Sequence, residues 1–313
     1  MSFGGRLPSR TAGLVAVLAG LLLTIFPVSS SAGNTASAGN TAAKAPFQVG
    51  IRAIRIVEHR TIRLPGGRVV PRTLETYVRY PEGGRGRYPL VVFAHGFNVT
   101  PHPYAALLTA IARAGFVVAS PVFPLTNAHA PGGPNENDLL NQPGDMSAVI
   151  TRMILETRRA GNPLSGLVDG RLVAVAGQSD GGITALLSAY NRRYRDRRVK
   201  AAIVMSGAEP SVGSYDFTNG SPPLLAMQGT ADTTNLPRNT YKFFGQVSRP
   251  KFLLKILGAQ HLPPYTTEQP QLAIVERTTV AFLNLYLNHR RGGLRQLEEA
   301  GNVRGVTRLA GTG

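Results

Sequence analysis

Residues 172–183 constrain this chain more than any other stretch. A short apolar run, 172–176, leads directly into Gly177-Gln178-Ser179-Asp180-Gly181-Gly182, and a helical pattern begins at Ile183. Glycines on both sides of a serine, between a buried strand and a helix, predict a tight turn that holds the serine hydroxyl above the edge of a sheet. The dipole at the helix N-terminus there favours developing negative charge. Ser179 is therefore the candidate nucleophile.

The rest of the chain repeats the same alternation. Continuous apolar runs at 90–94, 116–119, 201–205, 224–227 and 252–257 read as strands covered on both faces. Helical spacing fills 104–114, 146–157, 183–190, 236–247 and 272–287. Such an order predicts an α/β architecture, a mostly parallel central sheet with helices on both faces. Residues 51–57 and 74–80 alternate apolar with polar and read as an added antiparallel edge. The stretch between Met205 and Pro222 has room for a loop but not for a helical cap, so no large cap domain is expected.

A serine hydroxyl needs a base to take its proton, and the base needs an orienting acid. Both are expected on loops after later strands. Strand 224–227 runs into Gln228-Gly229-Thr230-Ala231-Asp232, and strand 252–257 into Gly258-Ala259-Gln260-His261. Asp232 and His261 are the candidates. His289 ends an amphipathic helix, Asp216 precedes its strand, and Asp196 lies in an arginine-rich stretch. The oxyanion donors expected are the backbone N–H groups of Asp180 and of Phe97, in the His95-Gly96-Phe97-Asn98 loop after strand 90–94. His95, beside that glycine, reads as a structural hydrogen-bonding residue. The Asp180 carboxylate is expected to point outward toward an arginine, since an inward charge would oppose the oxyanion. The long Pro-, Gly- and Asn-rich loop 121–143 is expected to shape the pocket, with Phe97, Phe123 and Tyr265 as wall or packing residues.

These motifs resemble the α/β-hydrolase superfamily. The resemblance is nearest to the branch of dienelactone-hydrolase-like, chlorophyllase-like, platelet-activating-factor-acetylhydrolase-like and cutinase-like enzymes. It covers about 49–288 and includes the stretches 72–81 and 94–97, the Gly-x-Ser-x-Gly-Gly elbow, 142–146, 229–232 and 258–261. It implies hydrolysis of a small-molecule or lipid-like carboxylic ester through an acyl-enzyme, with no metal or organic cofactor. It carries the triad onto Ser179, Asp232 and His261, and the oxyanion hole onto Phe97 and Asp180. Asp145 matches an acidic residue of the branch and reads as a helix N-terminal residue. The chain departs from polyester-degrading members in having Gln178 and Asp180 beside the serine, and no tryptophan or cysteine.

The N-terminus is a separate matter. Arg6 and Arg10, an apolar run from Ala12 to Phe26, then Pro27 and small residues to Ala32 form the pattern of a secretory signal peptide, 1–32. An uncleaved membrane anchor is the alternative. Residues 33–46 read as a flexible linker, 47–290 as the catalytic domain and 291–313 as a basic, frayed tail. The formal net charge is +17, carried mostly by arginine. Contact with an anionic cell envelope fits that charge; nucleic acid is not expected, because no basic run is interleaved with aromatics. Amide or peptide hydrolysis by the same elbow, and a non-catalytic envelope-binding protein, are the competing functions.

Overall fold

The computed structural model describes residues 46–313. The signal-peptide reading and the linker up to residue 45 fall outside those residues. Nine strands form one sheet: β1 (Val49–Arg63), β2 (Val69–Pro81), β3 (Tyr88–Ala94), β4 (Val117–Val122), β5 (Val168–Gln178), β6 (Val199–Met205), β7 (Leu224–Gly229), β8 (Lys251–Ile256) and β9 (Thr307–Thr312). Their spatial order is β1-β2-β4-β3-β5-β6-β7-β8-β9. Strands β4, β3, β5, β6, β7 and β8 pair parallel, while β1 and β2 at one edge and β9 at the other pair antiparallel. This is the mostly parallel sheet expected from the alternation and the α/β-hydrolase architecture implied by the resemblance.

The helices are α1 (Ala105–Arg113), α2 (Gln142–Glu156), α3 (Asp180–Tyr190), α4 (Pro237–Gln246), α5 (Gln271–Tyr286) and α6 (Gly293–Gly301). They cover both faces, and the pleat divides the core between them. In β5, Val173 and Val175 join one apolar cluster with Val92, Val204 and α2. Ala174 and Ala176 join the other, with Phe93, Ile203 and α5. A strand whose successive side chains are all buried has no polar face, which is why the central runs read as unbroken apolar sequence. Residues 206–223 contain no helix, so nothing resembling a cap domain follows β6.

One expectation is corrected here. The C-terminal tail does not fray. Its helix α6 buries Leu297 and packs on α5, and β9 pairs with β8 across six residues. Strand β8 therefore has a neighbour on each side, which suits a strand that leads into the site. Asp145 lies in the first turn of α2, as expected of a helix N-terminal residue, and its side chain is engaged by arginines. Its Oδ1 accepts from Arg72 Nε and Arg60 Nη2, each at 2.6 Å, and its Oδ2 accepts from Arg72 Nη2 at 2.5 Å. Arg72 also donates to both oxygens of Asp138, at 3.0 and 2.6 Å. Burial works against the Arg72 charge, but contact with Asp145 and Asp138 outweighs it and holds the guanidinium pKa above its ordinary value. The cluster pins α2 and the preceding turn Glu136–Asn141 to β2.

Candidate active site

The turn after β5 has the geometry its glycines predict. Ser179 sits at φ 58° and ψ −122°, between the last residue of β5 and the first of α3. A β-carbon on Gly177 would collide with the carbonyl of Gly181, and one on Gly181 with the carbonyl of Ala94. No side chain fits at either place, so the strand, the helix and β3 approach to backbone contact. The Ser179 N–H donates to Met205 O at 2.9 Å, fixing the turn to β6. The hydroxyl is left half-buried at the C-terminal edge of the sheet.

His261 and Asp232, on the loops after β8 and β7, converge on that hydroxyl. His261 Nε2 lies 2.8 Å from Ser179 Oγ, and His261 Nδ1 lies 2.8 Å from Asp232 Oδ2. A carboxylate only accepts, so the Nδ1 proton belongs toward Asp232 and Nε2 is free to accept from the serine. Asp232 is held in turn. Its Oδ1 accepts from the N–H groups of Thr234 and Asn235, at 2.9 and 2.8 Å, and its Oδ2 also accepts from Gln228 Nε2 at 3.1 Å. Burial pushes this carboxyl upward, yet His261, Asn235 and Gln228 outweigh it and keep its pKa below the ordinary value. The group is therefore held in its ionised form beside the His261 ring. His289, by contrast, is exposed, and Asp216 and Asp196 pair with arginines.

The loop after β3 faces Ser179 from the other side. A β-carbon placed on Gly96 would come 3.2 Å from Ser179 Cβ. His95 is fully buried; its Nδ1 donates to Gly96 O at 2.7 Å and its Nε2 accepts from the Phe123 N–H at 3.1 Å. Burial depresses its pKa to about 4, so it remains neutral and ties the loops after β3 and β4 together. Among the described residues, the N–H groups of Phe97 and Asp180 have no acceptor. Asp180 opens α3, where an unused N–H is a consequence of helix geometry. Phe97 is half-buried, whereas Phe123 and Tyr265 are fully buried; Phe123 packs on His95, and Tyr265 bonds Ser206 Oγ at 3.0 Å.

The Asp180 side chain departs from expectation. It does not point outward to an arginine: it is 7% exposed, and its Oδ2 has no hydrogen-bond partner among the described residues. The turn Glu136–Asn141 packs against α3 and brings the Glu136 charge near. Burial first, and then Glu136, raise the Asp180 pKa to about 6, while His261 pulls it down.

Three supporting residues escaped the sequence reading. Gln178 accepts from Tyr104 Oη at 2.8 Å and donates to His261 O at 3.0 Å, linking the α1 end of the site to the histidine loop. Gln228 holds Asp232 and accepts from Thr240 Oγ1 at 2.6 Å. Both glutamines follow apolar runs at the C-terminal ends of β5 and β7, and that was the available signal: a buried polar residue there must find a partner. No group of three or more histidine, aspartate or glutamate side chains among the described residues is gathered as a metal site.

A family model described as chlorophyllase matches residues 54–239. The chain belongs to the chlorophyllase family. That family consists of ester hydrolases of the α/β-hydrolase type, in keeping with the sheet order and the elbow. Chlorophyllase-1 of Arabidopsis thaliana is 27% identical over 152 residues, 49% of this chain and 44% of the relative. The match thus spans less than half of the relative's length. The chlorophyllase match includes Ser179 and Asp232 but ends before His261.

Proposed function

We propose that the chain is a serine hydrolase of carboxylic esters. In this reading Ser179 Oγ attacks the ester carbonyl while His261 Nε2 takes its proton, and Asp232 orients and stabilises the resulting imidazolium. The tetrahedral oxyanion is received by the N–H groups of Phe97 and Asp180. His261 returns the proton to the departing alcohol, leaving an acyl group on Ser179. Water, deprotonated by His261, then releases the acid. The observation that carries the reading is the serine–histidine–aspartate relay, 2.8 Å at each step, on a strained turn.

The site lacks a cap after β6, which supports a bulky ester as substrate, and the family name makes chlorophyll one member of the series to test. A panel of p-nitrophenyl esters of increasing chain length, matching anilides and chlorophyll should show ester turnover well above anilide turnover. Ser179→Ala should lower kcat/KM by at least 10³-fold. Anilide turnover equal to or above that of the esters would assign the site to amide hydrolysis instead. We also propose export, on the basic, apolar and small-residue order of 1–32, with the cationic exterior in contact with an anionic envelope. Sequencing the N-terminus of secreted protein tests it: export predicts an end near residue 33, and retention of Met1 in a membrane fraction contradicts it.

A further inference from the structure

Strand β2 carries two buried arginines with opposite surroundings. Arg72 is 1% exposed and meets two carboxylates. Arg79 is 7% exposed, and its guanidinium forms no hydrogen bond or ion pair among the described residues; its Nε and Nη1 are fully enclosed without an acceptor. An odd register separation puts the two on opposite faces of the strand, so the acids that serve Arg72 are beyond the reach of Arg79. A buried guanidinium with no counter-charge is costly, and an anion that pairs with it relieves that cost.

The space in front of Arg79 is a cavity of about 410 Å³. It lies between the outer face of β2 and the loops that follow β3 and β4, with Pro101, His102, Val122 and His129 among its walls. That size matches a small organic molecule and is generous for an inorganic ion. Glu75 and Tyr77, farther along the same face of β2, are exposed, and Tyr77 Oη donates to Glu75 Oε1 at 3.0 Å. The Glu75 charge opposes a second anionic group, so one anionic end belongs at Arg79 and a neutral, partly apolar body in the rest of the space. From β2 to β5 is three strand spacings, on the order of 14 Å. Ser179, Asp232, His261 and Phe97 are not among its walls.

We propose that this cavity is a binding site for an organic monocarboxylate, with the carboxylate paired to Arg79. Nη2, the one guanidinium nitrogen of Arg79 that is not fully enclosed, is the donor such a carboxylate meets, and a lysine ammonium does not stand in its place.

Benzoate is a suitable probe, with benzamide as its neutral counterpart and inorganic phosphate as the ion without an organic body. The full chain is titrated with each by calorimetry and thermal unfolding, alongside Arg79→Lys and Arg79→Met. Benzoate is expected to bind and raise Tm with concentration, whereas benzamide and phosphate bind at least tenfold more weakly. Arg79→Lys should weaken benzoate at least tenfold, and Arg79→Met should abolish its effect while unfolding no earlier than the wild type in buffer alone. Hydrolysis of p-nitrophenyl acetate should be the same in all three proteins, which separates this site from Ser179. Benzoate binding that Arg79→Lys leaves unchanged, no benzoate binding by the wild type, or phosphate binding as tight as benzoate would each overturn the assignment. If Arg79→Met does not fold, the Arg79→Lys comparison alone decides.

Discussion

At φ 58° and ψ −122°, Ser179 occupies backbone space that a β-carbon makes costly, on the order of 1–3 kcal/mol. Ser179→Gly should therefore shift the urea midpoint upward, by about 1 kcal/mol of stability, while removing the hydroxyl that hydrolysis needs. A lower midpoint would show that the turn is not strained. Asp180 and His95 set opposing pH dependences close by. The folded pKa of Asp180 is raised from 3.8 to about 6, so its contribution is full below pH 4 and is lost as pH rises through 6. That of His95 is lowered from 6.5 to about 4, so its contribution is full above pH 6.5 and is lost as pH falls through 4. Asp180→Asn removes the first effect only. The variant should match the wild type near pH 4 and exceed it above pH 6, by up to about 3 kcal/mol at 1.36 kcal/mol per pH unit. Denaturant midpoints from pH 4 to 7.5 check this, and parallel profiles would contradict it. That Ser179, Asp232 and His261 would be brought together was legible because strand ends and glycines mark their positions. The direction of the Asp180 side chain was not, because it depends on a turn forty residues earlier in the chain that packs over α3.

Among the elements, α2 and β2 are joined by charge as much as by apolar contact. Arg72 and Asp145 have side chains that are 2% and 0% exposed. Arg72→Ala leaves Asp138 buried without its counter-charge and Asp145 with only Arg60, and a loss of about 3–5 kcal/mol is expected. Equilibrium urea unfolding measures it; a change under 1 kcal/mol would mean that Arg60 or water replaces the contact. Sequence periodicity located strands β1 to β8 and helices α1 to α5 because each has an apolar stripe or run long enough to register. It missed α6 and β9 because their stretch is rich in glycine and arginine. Helix α6 depends on a left-handed Gly292 ahead of it and on α5 for its burial, and β9 on the open edge of β8. Those are tertiary causes that no local window contains. Asp145 was legible as a helix N-terminal residue, but its arginine partners, 73 and 85 residues away, were not.

For the molecule as a whole, one sheet with two apolar faces carries the candidate chemistry along one edge. The β3, β5, β7 and β8 ends supply the loop with Phe97, Ser179, the Asp232 loop and the His261 loop. Parallel strands all end on the same side, so four loops far apart in sequence meet there without any further device. That is why the order of candidates along the chain was informative before any coordinates. The polar frame under the relay, Tyr104, Gln178 and Gln228, depends on packing between layers and emerged only in three dimensions. The central claim is that Ser179 is the nucleophile of this relay. Incubation with a fluorophosphonate, followed by peptide mass analysis and residual p-nitrophenyl ester activity, tests it most directly. The expected result is one adduct per chain, on the peptide containing Ser179, with activity falling in step with labelling and no adduct in Ser179→Ala. Full labelling of Ser179 with activity retained, or an adduct on another residue that accounts for the loss, would contradict it.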